Sequence, residues 1–320
     1  MRRSHPVIGS AASRWPMAGG RTVTYLTPPK LSRFPNLADP LEYATRSMVV
    51  TPDGRGILRA WGEPEAPWAL RVEPAGGRWR VEAPGISAAQ ARAAARDLFS
   101  LEHPIEEFYR LVRREPILRG TDRRFRGLRL PRDASLYESL LFAVIGQQLS
   151  VRAAATLSRR LSEATDAYLT VDGLEIPTVP TPRSVLRLGA RGLRKCGLSR
   201  VKAKSLLGIA RGQEEGRFAT ASFLSLPQEQ AIERLDEEPG VGRWTAENAL
   251  LRGVGRPDLF VAGDLGLRVA LAEFGVLPRH APEEAARAWA EAHYPNWGSY
   301  ATVYLWKKLV TDYRAREKKG

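Results

Sequence analysis

The sequence predicts an α+β chain: a small N-terminal α/β unit of antiparallel strands with one helix, followed by a mostly α-helical core. Three observations carry that expectation. Between about 44 and 82, apolar and polar residues alternate; from about 105 onward, strand signals fade and apolar residues recur at helical spacing. The length, 320 residues at 43% hydrophobic content, allows one large domain or two ordinary ones with a real core.

The elements follow in order. Residues 1–40 are rich in Pro, Gly and Ser and read as a poorly ordered or extended lead-in, with one strand at Thr22–Leu26. Residues 41–105 form the N-terminal α/β domain. Trp68, Leu70 and Val72 alternate with Ala69 and Arg71, and Trp79 and Val81 with Arg78 and Arg80; Gly76-Gly77 marks the turn between the two runs. Ser87 caps an Ala-rich helix running to about Phe99. Residues 106–320 form the helical core. Arg110 to Arg132 carries nine arginines, readable as a basic connection between domains or as phosphate contacts. Ser135-Leu-Tyr-Glu138 is a capping box, and Leu136, Leu140 and Val144 set one buried helix face. Gln147 and Gln148 interrupt that apolar run, either as a helix end meeting water or as polar groups placed for recognition. A Ser/Ala-rich stretch over 150–161 and a Pro-rich connection, Ile176 to Pro182, come next.

Composition excludes whole classes of function. A single cysteine, Cys196, removes intrachain disulfides, Cys-based zinc sites and a four-cysteine iron–sulfur cluster. The four histidines are scattered without metal-ligand spacing. The longest apolar run, near Leu140–Ile145, falls far short of the roughly 18 residues a membrane span needs. No apolar stretch follows Arg2-Arg3, so a secretory leader is not expected. The expectation is a cytoplasmic protein, associated with the nucleoid in a bacterium. A net charge of +14, supplied by 49 Lys+Arg against 35 Asp+Glu, would attract a polyanion.

Chemistry concentrates between Leu235 and Leu271. Pro239-Gly240-Val241-Gly242 reads as a tight turn opening a helix at about Arg243, so several backbone N–H groups lack intrahelical acceptors and can seat a phosphate. With a helix ending near Leu235 ahead of it, the segment 235–252 would be a helix–hairpin–helix. Asp264 precedes a helical stretch, Leu265 to Phe274. It reads as an ordinary N-cap, as a carboxylate aimed into a cleft, or as both.

Four segments then acquire a common meaning: Ala143 to Ser150 (AVIGQQLS), Gly197 to Ala203 (GLSRVKA), Leu235 to Ala246, and Phe260 to Leu267. In order and spacing they resemble the signatures of the helix–hairpin–helix (HhH-GPD) DNA glycosylase superfamily, over roughly residues 106–310. The preceding α/β unit resembles the N-terminal domain of the 3-methyladenine DNA glycosylase II branch. The resemblance implies a two-subdomain helical core with Asp264 as the catalytic carboxylate. It implies a DNA-backbone hairpin of Pro239, Gly240, Val241, Gly242, Arg243, Thr245 and Ala246. Gln147, Trp244, Asn248 and Trp306 would line the base pocket, with Asn248 standing where the relatives have a tyrosine, and Gln148 would fill the gap left in the duplex. Without the resemblance, plain core packing is the better reading of each tryptophan; Trp306 lies in an apolar helical run with Tyr304, Leu305 and Leu309. Arg243 and Arg252 are the arginines expected at phosphates. No cofactor is required; a sodium or potassium ion is implied on the backbone carbonyls of Asp236, Glu238 and Val241.

Family members that also cut the strand use a lysine two residues after the second hairpin glycine. Trp244 stands there, and no lysine occurs from 205 to 306. The expected activity is therefore monofunctional: hydrolysis of the N-glycosidic bond of alkylated purines, of the 3-methyladenine and 7-methylguanine type, in damaged double-stranded DNA, by a monomer. The alternatives are a glycosylase for an uncharged lesion (hypoxanthine, uracil or 8-oxoguanine) and a non-catalytic binder of damaged DNA.

Overall fold

The computed structural model describes residues 21–37, 48–130 and 132–317. The expected lead-in over 1–20 and 38–40 lies outside them. The chain opens with strands β1 (Arg21–Leu26), β2 (Met48–Val50), β3 (Ile57–Trp61), β4 (Trp68–Ala75) and β5 (Arg78–Pro84), followed by helix α1 (Ala88–Leu98). They form one antiparallel sheet in the order β1-β5-β4-β3-β2. β1 comes from inside the expected lead-in. Its buried Thr24 and Leu26 alternate with exposed Val23 and Tyr25, which is the pattern of a strand with one covered face. Ser87 and Gln90 form the capping box that starts α1.

Both faces of the sheet are covered, and the second cover was not foreseen in the sequence. Within the stretch expected to be helical, β6 (Tyr168–Val171) and β7 (Leu174–Pro177) pair as a hairpin. Their turn, Asp172-Gly173, has φ of 49° and 79°, the two left-handed residues that a tight hairpin turn requires. Leu169, Val171 and Ile176 pack on Leu58 and Ala69 of the sheet, while Ile57, Leu70, Val72 and Val81 face α1. That double cover explains why Ile57 to Ala60 are buried in succession.

The helical part comprises α2 (Ile105–Arg114), α3 (Thr121–Arg124), α4 (Leu136–Gly146), α5 (Val151–Thr165), α6 (Pro182–Lys195), α7 (Arg200–Glu214), α8 (Thr220–Leu224) and α9 (Gln228–Asp236). After these come α10 (Arg243–Ala249), a wider π-type turn over Leu250–Val254, α11 (Leu265–Glu273), α12 (Glu283–His293) and α13 (Gly298–Glu317). Two cores organise them. The first gathers α4, α7, α9 and α10 around Leu140, Leu206, Leu235 and Ala246. The second gathers α2, α11, α12 and α13 around Phe108, Leu267, Ala290 and Tyr300. No helix among the described residues is long and apolar enough to cross a membrane.

Four of the nine arginines of the arginine-rich stretch serve as internal joinery, while most of the nine are exposed. Buried Arg129 donates to the carbonyls of Ser100 and His103 and to Ser32 Oγ; Arg132 reaches Gly253 O; Arg113 pairs with Asp122 and Arg124 with Asp312. A further joint is fully buried: Arg59 of β3 pairs with Glu138 at 2.9 Å and lies 3.8 Å from Asp133, tying the sheet to the start of α4.

Candidate active site

Asp264 sits where the two helical cores meet. The segment before it is extended, and its side chains alternate between them: Leu259 and Val261 enter the first core, Phe260 and Ala262 the second. A two-residue period thus fixes the segment from both sides, and the turn closed by Asp264 N–H on Val261 O, 3.0 Å, delivers the carboxylate to the seam. The side chain is half-buried. Its Oδ1 accepts from Leu267 N–H at 2.9 Å, the N-cap bond of α11, and also from the Trp306 indole Nε1–H at 3.0 Å. Gly266 leaves room for this: a Cβ there would stand 3.1 Å from Oδ1. Among the described residues Oδ2 has no partner. The cap reading of Asp264 therefore holds on Oδ1, and Oδ2 is left available.

Trp306 is placed on α13 at the edge of the second core, and its indole N–H orients Asp264 as well as offering an aromatic face. Trp244 rests half-buried against the first core. Asn248 follows it by one turn on the same side of α10 and is half-buried.

The hairpin has the expected form. α9 ends at Asp236, α10 starts at Arg243, and Val241, 2% exposed, plugs the turn into the first core. Gly240 has φ +80°, and a Cβ there would meet Ser205 Oγ of α7 at 2.0 Å, so only glycine fits. Gly242 has an ordinary extended backbone and open space around it; nothing inside the protein demands glycine there. It N-caps α10 without a side-chain bond, and among the described residues the N–H groups of residues 242–245 have no protein acceptor.

Of the hairpin's backbone amides, those of Val241 and Ala246 are engaged within the protein, by Glu238 O and Gly242 O. The Thr245 and Ala246 side chains are buried beneath the hairpin, and Thr245 Oγ1 accepts from Gln147 Nε2 at 2.8 Å. The Arg243 guanidinium is committed to Glu229 through two bonds and to Glu247, which holds it protonated well above its ordinary range. Its side chain is thus not the free cation expected at a phosphate, and residue 243 offers its backbone N–H instead. Arg252 is half-buried, and its carbonyl accepts from Asp133 N–H. Gln147 spans from the end of α4 to the hairpin, donating to Gly240 O at 2.9 Å as well as to Thr245. Gln148 beside it is exposed, with a left-handed φ of 55°.

Two residues of this region were not singled out from the sequence. Lys202 of α7 donates to Ile145 O and Gln147 O at 2.9 and 2.7 Å. Its signal was its placement: a lysine in a first helical turn opposes the helix dipole and is better satisfied at another helix's C-terminal carbonyls. Glu247, 1% exposed, accepts from both Arg243 and Arg287 through Oε1, while Oε2 is buried with no partner among the described residues. Burial pushes its carboxyl pKa up, against the pull of the two guanidiniums. Arg287 also reaches Phe260 O, so this carboxylate links the hairpin helix to the segment carrying Asp264. A cleft of about 330 Å³ lined by Glu229, Arg243, Arg287 and Tyr294 lies beside this joint. Its charges are largely paired with one another, and Asp264 is not in its wall.

Residues 141–293 match the family model described as HhH-GPD superfamily base excision DNA repair protein. DNA-3-methyladenine glycosylase 1 of Schizosaccharomyces pombe is 31% identical over 55% of this chain and 74% of its own length. The DNA-3-methyladenine glycosylase of Bacillus subtilis is 28% identical over 66% of this chain and 69% of its own. The matched segments span between 60% and 69% of the length of three bacterial relatives. Among solved structures, a 3-methyladenine DNA-glycosylase from Archaeoglobus fulgidus superposes with a TM-score of 0.74 at 26% identity, covering 89% of this chain and 97% of that one. The chain therefore belongs to the HhH-GPD superfamily of base excision DNA repair proteins.

Proposed function

We propose that the protein is a monofunctional DNA glycosylase that hydrolyses the N-glycosidic bond of N3- and N7-alkylated purines in double-stranded DNA, the first step of base excision repair. The observation that carries this is the Asp264 carboxylate, with Oδ1 doubly held and Oδ2 unengaged at the seam of the two cores. The names of the relatives, DNA-3-methyladenine glycosylases from a bacterium and a yeast, support the substrate class.

The chemistry follows from the leaving group. Alkylation at N3 or N7 makes the purine cationic, so it departs with the bonding pair as a neutral base and needs little help from a general acid. The sugar passes through an oxocarbenium-like state, as in other glycoside hydrolyses. Asp264 Oδ2 stabilises that cation and takes the proton of the water that forms the new C1′–O bond. The aromatic faces of Trp244 and Trp306 attract an electron-poor base by roughly 0.5–2 kcal/mol each. Reaching the bond requires the nucleotide to leave the stack, at a cost of a few kcal/mol that is smallest for damaged bases. Gln148 fills the gap. With Trp244 at the lyase position and no lysine from 205 to 306, a Schiff base has no donor in this segment.

The unpaired N–H groups of residues 242–245 hold a phosphate without side-chain charge, and Gly242 lets the strand approach. The net charge of +14 adds salt-dependent affinity. The carbonyls of Asp236 and Val241 have no backbone donor among the described residues, and Glu238 O accepts from Val241 N–H with a lone pair to spare. Three hard, uncharged oxygens suit sodium or potassium rather than a transition metal. Such an ion would stiffen the turn and take no part in the reaction.

The deciding experiment is a panel of single-lesion duplexes, scored for released base with and without hot alkali. Release of 3-methyladenine or 7-methylguanine, with strand breaks only after alkali, is expected. Activity confined to hypoxanthine, uracil or 8-oxoguanine would overturn the leaving-group argument. Strand breaks without alkali would overturn the monofunctional assignment.

A further inference from the structure

The end of α4, the first turn of α7 and the hairpin meet in a single polar junction. α4 has no basic residue in its own last turn, so its terminal carbonyls have no local cation. Lys202 supplies one from a neighbouring helix, donating to Ile145 O and Gln147 O. The amide of Gln147 then donates across to Gly240 O and Thr245 Oγ1. One turn beyond Lys202, Ser205 lies directly under Gly240, which fixes α7 against the hairpin as well. Between these fixed points stands Gln148, exposed and left-handed at φ 55°. For a residue with a Cβ that conformation is strained and persists only where its surroundings enforce it. Flanking it in sequence are Leu149 and Val151, and beside Lys202 is Val201, 68% exposed: an apolar rim on a polar protein face.

We propose that Lys202 is a positioning residue for base flipping: it holds the last carbonyls of α4 in the turn that projects Gln148, and through Gln147 it registers that turn against the hairpin. The proposal rests on the glycosylase reading, in which Gln148 enters the duplex and the hairpin grips the backbone. Lys202 touches neither base nor sugar. It makes the plug and the clamp one rigid tool, so a strand held by the hairpin presents its damaged step to Gln148 at a set distance. Without the lysine, residues 147–148 lose the only side-chain cation on those carbonyls among the described residues, and Gln148 relaxes toward negative φ.

The test compares wild type with Lys202→Met, which keeps the length and removes the donor, and with Lys202→Arg, which keeps the charge. Release of 7-methylguanine is measured from a fully paired duplex and from one in which the lesion lies opposite an abasic site and is already unstacked. For Lys202→Met, release should fall about 30-fold on the paired duplex and less than about 3-fold on the opened one, since the stack has to be opened only in the first. Lys202→Arg should recover most of the loss. Equal losses on both duplexes would mark a merely structural role and overturn the proposal, as would no loss on either. A separate arm needs no catalysis: 2-aminopurine placed beside an abasic-site analogue reports insertion when saturating protein is added. A weaker fluorescence change for Lys202→Met than for wild type supports the proposal, and an identical change overturns it. If wild type binds this duplex but releases no base from any lesion, the glycosylase reading fails and the fluorescence arm still decides the role of Lys202.

Discussion

Two helix starts in this molecule solve the same problem in opposite ways. At α11 the free N–H groups meet an anion that the chain supplies itself: Asp264 caps Leu267 N–H and is steadied by Trp306. At α10 the cap is Gly242, which has no side chain, and the N–H groups of residues 242–245 stay open. Under the proposed function, the first arrangement keeps a carboxylate at hand for a cation that forms during reaction, and the second leaves a place for an anion that arrives with the substrate. The difference is one residue type at the N-cap, and under that proposal it divides the labour between reacting and holding.

The comparison can be broken most strongly at Asp264. Asp264→Asn retains a carbonyl oxygen for both Leu267 and Trp306 and loses only the charge, so folding and binding to an abasic duplex should be preserved. Single-turnover base release should fall by about 10³-fold; release within about threefold of wild type would remove Asp264 from the mechanism. Next is the joint between the two regions. Glu247→Gln leaves Arg243 and Arg287 without their shared carboxylate and should cost about 1–2 kcal/mol in denaturant unfolding, since the carboxylate is buried but both guanidiniums are partly exposed and an oxygen acceptor remains. Gly242→Asp would convert the second arrangement into the first. Its backbone is already extended and the space is open, so stability should rise by a few tenths of a kcal/mol. Affinity for a duplex should nevertheless drop about 30-fold, as the helix start caps itself and repels phosphate. Unchanged affinity would mean that DNA does not approach this turn. The smallest effect is expected from Trp306→Phe, which keeps an aromatic face but removes one hydrogen bond to Asp264. Release should slow about tenfold with binding unchanged.

How much of this was legible in the sequence depended on the range of the interactions. The hairpin, the helix caps at Ser87 and Ser135, and the strands on either side of Gly76-Gly77 are written in neighbouring residues, and the structure has them. The box expected at Ser135 is only half formed: Ser135 Oγ accepts from Glu138 N–H, while the Glu138 carboxylate turns to Ala134 N–H and Arg59. Asp264 was readable as a cap from its local context; its second oxygen acquires meaning only when Trp306, 42 residues away, arrives beside it. Arg243 read as a phosphate contact because Glu229 is distant in sequence and becomes its partner only once α9 packs on α10. The β6–β7 hairpin is a different kind of miss. Asp172-Gly173 between alternating runs is a local signal, overshadowed by the helical pattern on both sides.

The buried Arg59–Glu138 pair acquires a mechanical sense from where α4 ends. The helix is a strut of 11 residues, roughly 16 Å long, buried along nearly its whole length. One end is bolted to the N-terminal sheet by that ion pair, and the other carries Gln147 and Gln148. Prying apart stacked bases pushes back on whatever does the prying. Under the proposed role for Gln148, that recoil runs down the axis of α4 into a sheet braced on both faces, so the N-terminal domain serves as the anvil behind the wedge.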